Sequence, residues 1–395
     1  MVKIVFIHPD LGIGGAERLV VDAALALKSK GHDVRFVTNH FSPNHCFQEV
    51  HEFDIQVIDL LPRSIFGKFN ALLAYLRMCI AAMVVCWSAN CDIIFCDQIS
   101  ACLPIFKWFS RAKLFFYCHF PDQLLTKRES FWKRFYRWFL DSFEAWSTGK
   151  ADLICVNSEF TEGVFRETFP SLAHHELQVL YPTLNTSFFD ASPRVDLHYI
   201  PSKAEFIFLS INRFEFKKNI ELALEAFAQL HDKLDPKMFK KCFLVVAGGF
   251  DPMNKENEIY YNKLWEDAQQ LGIPESSIAF VKSPSDAEKI ELLRRASLVI
   301  YTPRNEHFGI VPIEAMYMER CVLATNTGGP KESIVHGRTG YLCDANPYAF
   351  YVVLNEVVNN PEKVTEMGKN GKIRVRMFAF EAFSAKLNRI IDTMH

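Results

Sequence analysis

The chain has 395 residues, of which 49% are hydrophobic and 23% charged, and its formal net charge is −2. A chain of this length is too long to fold around one hydrophobic core of ordinary size, so the length indicates two domains of typical size. The composition excludes a disordered or fibrous protein, and the balanced charge gives no overall attraction to nucleic acid. The eleven cysteines are scattered without a C-x-x-C pair, which is typical of buried thiols in a reducing compartment.

The first predicted strand, Lys3 to His8, runs directly into a glycine loop. The chain start lacks the pattern of a signal peptide, so we expect the protein to remain in the cytosol. In the loop, G-I-G-G-A-E, the amides of Gly14 and Gly15 are placed to face an anion at a helix start. Glu17 stands where a dinucleotide-binding fingerprint has its third glycine, which disfavours tightly bound NAD. A tight strand-to-helix turn without a ligand explains this loop equally well.

Apolar strand-like runs alternate with helical patterns along both halves of the chain. The alternation predicts two doubly wound, Rossmann-like α/β domains that face each other across a cleft. We expect a first domain over residues 1–190, a proline-containing linker over 191–204 and a second domain over 205–375. Residues 376–395 predict a C-terminal helix that packs back toward the first domain.

Two segments of the first domain predict a surface that faces a membrane. The stretch from Leu72 to Trp87 is apolar, and residues 131–139 interleave aromatic side chains with lysine and with arginines such as Arg137. Such a mixture suits the headgroup region of a bilayer. A core helix with a solvated basic edge is an alternative that the sequence supports equally. The aromatic residues of this predicted surface are Trp132, Phe135, Trp138 and Phe139.

His119 ends a predicted strand and begins the motif H-F-P-D, which places its imidazole at the edge of the first sheet. There it can contact a ligand, although a histidine beside aromatic residues is as often a packed or capping residue.

A cation pair follows the first strand of the second domain. In S-I-N-R-F-E-F-K-K-N, Arg213 offers a planar fork and Lys218 a compact charge, and together they can clamp a diphosphate. A solvated basic loop is the alternative. Gly248 and Gly249, and a later glycine pair at 328–329, also follow strands and are expected to expose backbone amides at the same edge.

The segment N-E-H-F-G-I-V-P-I-E holds two carboxylates, Glu306 and Glu314, across a loop that becomes a helix. Gly309 allows a tight turn, and Pro312 fits the opening turn of the helix. Parallel α/β sheets bind ligands at this edge, and carboxylates there accept hydrogen bonds from the hydroxyls of a polyol or a ribose.

Together these motifs resemble, over nearly the whole chain, the retaining glycosyltransferases of the two-Rossmann-domain (GT-B) type, family four. More closely, Y-C-H-F-P-D, S-I-N-R-F-E-F-K-K-N and N-E-H-F-G-I-V-P-I-E-A-M-Y-M are similar to mannosyltransferases of the dolichol pathway. The resemblance implies GDP-mannose as the donor and mannosyl-chitobiosyl diphosphodolichol as the acceptor, which receives an alpha-1,3 and then an alpha-1,6 mannose. It also implies the cytosolic face of the endoplasmic reticulum membrane, with other mannosyltransferases of the pathway as partners.

The resemblance further implies a role for each motif. Arg213 and Lys218 hold the diphosphate, Glu314 holds the ribose, Glu306 contacts the mannose, and His119 contacts the reacting sugar. No metal and no tightly bound cofactor are expected, and no nucleic acid. Another nucleotide-sugar transferase of the same fold and a catalytically silent scaffold are the alternatives; the full set of motifs argues against the scaffold. The remaining residues implied to bind the donor are Gly14, Gly15, Gly248, Gly249, Gly309 and Ile310.

Overall fold

The computed structural model describes residues 1–64, 70–88, 90–125 and 131–394, without the side chains of residues 125 and 131–134. The chain forms two compact units. The first comprises Met1–Thr183 together with Phe380–His395, and the second comprises Leu184–Ala379.

The first unit contains a parallel sheet of seven strands in the order β3-β2-β1-β4-β5-β6-β7. The strands are largely buried apolar runs, as expected where helices cover both faces of a parallel sheet. They are β1 (Lys3–His8), β2 (Asp33–Thr38), β3 (Asp54–Val57), β4 (Ile93–Asp97), β5 (Lys113–Cys118), β6 (Leu153–Val156) and β7 (Leu177–Val179).

A row of phenylalanines crosses one face of this sheet. Phe6 lies beside Phe36 and Phe95 in the strand register, and Phe95 lies beside Phe115. Ring centroids of Phe6 and Phe95 are 4.4 Å apart, and those of Phe95 and Phe115 are 4.3 Å apart, both pairs being stacked. Since each ring buries a large apolar area, the row anchors the core on this face.

The helices of this part of the chain are α1 (Gly15–Lys28), α2 (Asn70–Ser88), α3 (Leu103–Phe109), α4 (Asp122–Leu125), α5 (Phe131–Thr148) and α6 (Glu159–Thr168).

The second unit contains a parallel sheet of six strands in the order β10-β9-β8-β11-β12-β13. These strands are β8 (Phe206–Ile211), β9 (Cys242–Gly248), β10 (Ile278–Lys282), β11 (Leu298–Tyr301), β12 (Cys321–Thr325) and β13 (Gly340–Cys343). The helices are α7 (Thr186–Ala191), α8 (Glu221–Lys233), α9 (Pro236–Phe239), α10 (Lys255–Gln270), α11 (Asp286–Arg295), α12 (Ile310–Tyr317), α13 (Pro330–Ser333), α14 (Pro347–Asn359) and α15 (Pro361–Val375).

The last helix, α16 (Phe380–Met394), belongs to the first unit. Its apolar face buries Phe383, Leu387 and Ile391 in the same core as α1. The side-chain amide of Asn388 also donates a hydrogen bond to the carbonyl of Ala26, at 3.4 Å.

Residues 184–204 group with the second unit, whereas the sequence predicts a first domain through residue 190 and a linker beyond it. Arg294 accounts for part of this grouping. Its guanidinium donates hydrogen bonds to the carbonyls of Phe189, Ser192 and Pro193 at 3.2, 2.9 and 3.2 Å. The otherwise irregular backbone therefore finds its polar partners on α11.

Each sheet has one point where the strand order reverses. The chain leaves β1 toward β2 and β3 and then returns to place β4 on the other side of β1; in the second unit, β8 and β11 have the same relation. Loops that leave neighbouring parallel strands on opposite sides of the sheet open a crevice at such a point, where ligands of α/β proteins bind.

Gly248 tests how closely the backbone is packed at the edge of the second sheet. An added Cβ there would lie 1.7 Å from the carbonyl oxygen of Asn212, whereas one at Gly163 in α6 would meet nothing within 4 Å. We expect Gly248→Ala to lower the free energy of unfolding by at least about 3 kcal/mol. In the control, Gly163→Ala should raise it by about 0.5–1 kcal/mol. Urea unfolding followed by circular dichroism measures both, and equal stabilities would contradict this packing.

Candidate functional site

An ion pair between Lys218 and Glu306 lies at the strand reversal of the second sheet. Lys218 ends a short 3-10 turn after β8, and Glu306 lies in the loop after β11. The Nζ atom of Lys218 is 2.5 Å from Oε2 of Glu306, with only 11% and 23% of the two side chains exposed. Burial by itself would raise the pKa of Glu306, but the charge and hydrogen bond of Lys218 hold it below its ordinary value.

Two local features fix Lys218 in this place. Asn219, which follows it, adopts a left-handed conformation with φ of 50°, a geometry that asparagine tolerates. The hydroxyl of Thr302, just after β11, donates a hydrogen bond to the carbonyl of Lys218 at 2.7 Å. The loops after β8 and β11 are thus joined through backbone as well as side chains.

The loop that carries Glu306 rests on the glycine pair 328–329. The amide of Gly329 donates to the carbonyl of Glu306 at 2.8 Å, so this amide does not face a ligand as the sequence suggests. A Cβ at Gly328 would lie 2.5 Å from that carbonyl oxygen, and one at Gly329 would lie 2.3 Å from the carbonyl oxygen of Phe308. The pair is needed because two backbone segments cross here.

Gly248 and Gly249 likewise make room for the loop after β8. Beside the close approach of Asn212 to Gly248, a Cβ at Gly249 would lie 3.1 Å from Cγ of Arg213. The guanidinium of Arg213 forms an ion pair with Glu215 at 3.3 Å, and 66% of the side chain is exposed. The structure therefore pairs Lys218 with Glu306 and Arg213 with Glu215.

Glu314 is held by a lysine that sequence reasoning missed. Gly309, with φ of 81°, precedes α12, whose first residue is Ile310. Four residues further along the helix, Oε1 of Glu314 accepts a hydrogen bond from Nζ of Lys289 at 2.6 Å. Lys289 lies on α11, and no local pattern in the sequence marks it as a partner of this carboxylate.

A buried charge network occupies the strand reversal of the first sheet. Asp97, the last residue of β4, contacts Nδ1 of His8 at 2.7 Å with one oxygen and Nε2 of His119 at 3.1 Å with the other. His8 ends β1 and is fully buried. Burial alone would lower the pKa of His8, but Asp97 and Glu17 raise it to about 10. Sequence reasoning missed His8 and Asp97 as site residues. The signal that could have found them is a polar residue at the end of a buried strand.

The carboxylate of Glu17 lies beside the glycine loop of the first unit. Gly14 caps α1 in an extended conformation, and Glu17 lies in the first helical turn. Oε1 of Glu17 is 3.7 Å from Nε2 of His8. A Cβ at Gly15 would meet nothing within 4 Å, so that position is open to an approaching group.

Three of the four predicted membrane-facing aromatics lie on the exposed side of α5. Phe135, Trp138 and Phe139 are 55%, 61% and 54% exposed, while Trp132 lies outside the described side chains. Arg137 is not available to headgroups, because it is buried in ion pairs with Asp122 and Asp141 at 3.2 and 3.0 Å. The interpretation of Arg137 as a surface cation is therefore wrong.

Neighbouring helices extend this aromatic surface. On α3, Trp108 and Phe109 are largely exposed, and the ring centroid of Trp108 is 6.0 Å from that of Trp146 on α5. Helix α2 is, among the described residues, the one helix long and apolar enough to cross a membrane. Its central Arg77, however, donates hydrogen bonds to Asn39 and Asp59 within the unit, both at 2.7 Å.

Comparisons with known proteins agree over both units. The family model described as Glycosyltransferase Family 4 matches residues 13–188, and that described as Glycosyl transferases group 1 matches residues 199–374. The alpha-1,3/1,6-mannosyltransferase ALG2 of Homo sapiens is 46% identical over 400 residues, which cover 99% of this chain and 96% of the human protein. The protein of the same name from Dictyostelium discoideum is 40% identical over 414 residues, covering 99% and 98%.

Solved structures share the fold. Sucrose-phosphate synthase from Thermosynechococcus elongatus has a TM-score of 0.79 at 18% identity, covering 100% of this chain and 99% of its own. Anabaena HepE, in complex with UDP and glucose, has a TM-score of 0.74 at 16% identity and covers both chains completely. The predicted class of two doubly wound, Rossmann-like α/β domains of the GT-B type is confirmed.

The raised pKa of His8 makes the stability of the first unit depend on pH. A histidine that is charged in the folded state makes its full contribution to the free energy of unfolding below 6.5, its pKa in the unfolded chain. This contribution is lost as the pH rises toward about 10, the pKa in the folded state. We expect the stability difference between wild type and His8→Gln to be largest at pH 6 and to shrink by pH 10. Urea unfolding at pH 6, 8 and 10 measures it. A difference that is constant with pH would contradict a charged His8.

Proposed function

Because this chain belongs to the family of alpha-1,3/1,6-mannosyltransferases, it is an enzyme that transfers mannose in lipid-linked oligosaccharide assembly, and we propose that its donor is GDP-mannose. The acceptor is mannosyl-chitobiosyl diphosphodolichol, which receives first an alpha-1,3 and then an alpha-1,6 mannose. In this proposal the unit around β1 to β7 serves the acceptor and the membrane, and the unit around β8 to β13 binds the nucleotide sugar.

The single observation that best supports the proposed donor site is the Lys218–Glu306 ion pair, at the reversal of strand order between β8 and β11. A diphosphate that enters there takes the lysine as its counter-ion and leaves Glu306 free to accept hydrogen bonds from the mannose hydroxyls. Arg213, with most of its side chain exposed, is free to exchange Glu215 for a phosphate oxygen.

The other proposed donor contacts are assigned from the positions of the residues. The donor meets backbone at the edge of the sheet, at Gly248, Gly249, Gly309 and Ile310. Glu314 binds the ribose. In the first unit, Gly14 and Gly15 approach the phosphate or the acceptor, and His119 contacts the reacting sugar. Asp97 fixes the orientation of the His119 ring through its hydrogen bond.

The chemistry proposed is a front-face displacement with retention. The acceptor hydroxyl oxygen bonds to C1 of mannose on the face from which GDP departs, the bond from C1 to the phosphate oxygen breaks, and a phosphate oxygen takes the hydroxyl proton. Lys218 and Arg213 stabilise the charge that grows on the departing diphosphate. In this scheme no protein side chain acts as a nucleophile, and Glu306 contacts the mannose hydroxyls without bonding to C1.

The membrane enters because the acceptor is carried by a bilayer lipid. We propose that the exposed aromatic side chains of α5, continued by those of α3, lie in the headgroup region at the cytosolic face of the endoplasmic reticulum. Tryptophan suits this layer because its indole combines a large apolar body with a polar N–H group, and phenylalanine adds apolar area. Other mannosyltransferases of the pathway are the proposed protein partners.

Replacing Lys218 with alanine tests the donor site. We expect Lys218→Ala to lower kcat/KM for mannose transfer from GDP-mannose by roughly a thousandfold or more, because it removes the charge that stabilises the departing phosphate. Lys217→Ala is the matched control, since Lys217 is 68% exposed and pairs with Glu215, and it should stay within about threefold of wild type. Unchanged transfer by a folded Lys218→Ala protein would refute the role.

Introducing negative charge on α5 tests the membrane surface. We expect the double variant Trp138→Glu and Phe139→Glu to reduce binding of the full chain to anionic liposomes roughly tenfold, since two rings no longer enter the bilayer. Met253→Glu, at a position 90% exposed in the second unit, is the control and adds one negative charge where the double variant adds two. Co-flotation measures the bound fraction. If the double variant floats as wild type does, α5 does not contact the membrane.

A further inference from the structure

We propose that Lys289 is a positioning residue that presents one oxygen of Glu314 to the ribose of the donor nucleotide. This inference rests on the proposed function and names a residue that determines how the same site recognises a ribonucleotide. It starts from an imbalance at Glu314: one carboxylate oxygen is satisfied within the protein and the other is not.

The two oxygens of Glu314 have different surroundings. Only 9% of the side chain is exposed. Oε1 accepts the hydrogen bond from Lys289 at 2.6 Å, whereas Oε2 is buried and finds no hydrogen-bond partner among the described residues. A buried charged oxygen without a partner costs considerable free energy, so native structures rarely keep one without a function. The unpaired oxygen therefore calls for a hydrogen-bond donor from a ligand.

Lys289 is well placed to hold the carboxylate in one orientation. It lies in the first turns of α11, which begins with a capping box between Ser285 and Glu288. Because Glu288 accepts hydrogen bonds from the amide and hydroxyl of Ser285, it does not compete for the lysine. The apolar side chains of Ile290, Leu292 and Leu293 on the same helix are buried, which anchors α11 beneath the site.

The ion pair has two consequences for a ligand. Lys289 places a positive charge against one oxygen of the carboxylate, and a carboxylate oxygen accepts hydrogen bonds. With Oε1 occupied, Oε2 is the oxygen left for the ligand. A ribose hydroxyl is a suitable donor, and a deoxyribose that lacks the hydroxyls would leave Oε2 unsatisfied.

A binding cycle with two ligands tests this inference. The affinities of GDP and of 2′,3′-dideoxy-GDP are measured by calorimetry for wild type and for Lys289→Gln. We expect wild type to prefer GDP by roughly tenfold or more, as a hydrogen bond to a charged group suggests. Lys289→Gln should lose most of that preference while its affinity for dideoxy-GDP stays within about twofold of wild type.

Kinetics and further variants separate positioning from general structural damage. Lys289→Gln should raise KM for GDP-mannose roughly tenfold with kcat within about twofold, and Lys289→Arg should restore part of the loss. Lys263→Gln, on α10, breaks a comparable ion pair with Glu221 on α8 and should change none of these constants. If Lys289→Gln does not fold, Glu314→Gln should abolish the preference for GDP with Lys289 still present.

Each outcome distinguishes this inference from the function on which it rests. Lys289→Gln and removal of the ribose hydroxyls each lower the free energy of binding. If these two losses simply add, so that the variant loses affinity for GDP and dideoxy-GDP equally, Lys289 does not act through the ribose and the inference is overturned. The donor site would survive that result. If wild type binds neither ligand, the proposed donor is itself wrong, and the role of Lys289 falls with it.

Discussion

The ion pair between Lys218 and Glu306 depends on β8 and β11 being parallel neighbours in the sheet. Residues 88 positions apart in the chain meet there because the loops after both strands emerge at one edge. The first unit repeats the arrangement with different chemistry, joining His8 at the end of β1 to Asp97 at the end of β4. In both units the strand reversal is where the fold brings opposite charges together, and the proposed function uses both places.

The charged side chains of the proposed donor site neutralise one another. A cation of the site that lacked a partner would attract other anions, and an unpaired buried carboxylate would be costly. In the proposed function, a nucleotide diphosphate therefore exchanges partners with a carboxylate. Such an exchange favours ligands that supply both a phosphate for the lysine and hydroxyls for the released carboxylate, as a nucleotide sugar does. The pairs recorded in the structure are Lys218 with Glu306, Arg213 with Glu215, and Lys289 with Glu314.

The sequence predicts this fold well because apolar strands and glycine turns are local signals. Lys218 and Glu306 could be placed at one edge because each lies in the loop that follows a predicted strand. Lys289 could not, since its pairing depends on how α11 packs beside α12, and no spacing rule reports that contact. The interpretation of Arg137 was wrong because an arginine between aromatic residues can face lipid or turn inward. Its acidic partners are Asp141, four residues further along the same helix, and Asp122 on α4, and the sequence alone does not show that Arg137 turns toward them.

Calorimetric titration of GDP into wild type and Glu306→Gln tests the partner exchange most directly. The variant keeps the shape of the side chain but removes the charge that competes with the diphosphate for Lys218. The account predicts that Glu306→Gln binds GDP more tightly than wild type, by roughly tenfold, although it transfers mannose poorly. Weaker or unchanged binding of GDP to the folded variant would contradict the claim that Lys218 passes from Glu306 to the phosphate.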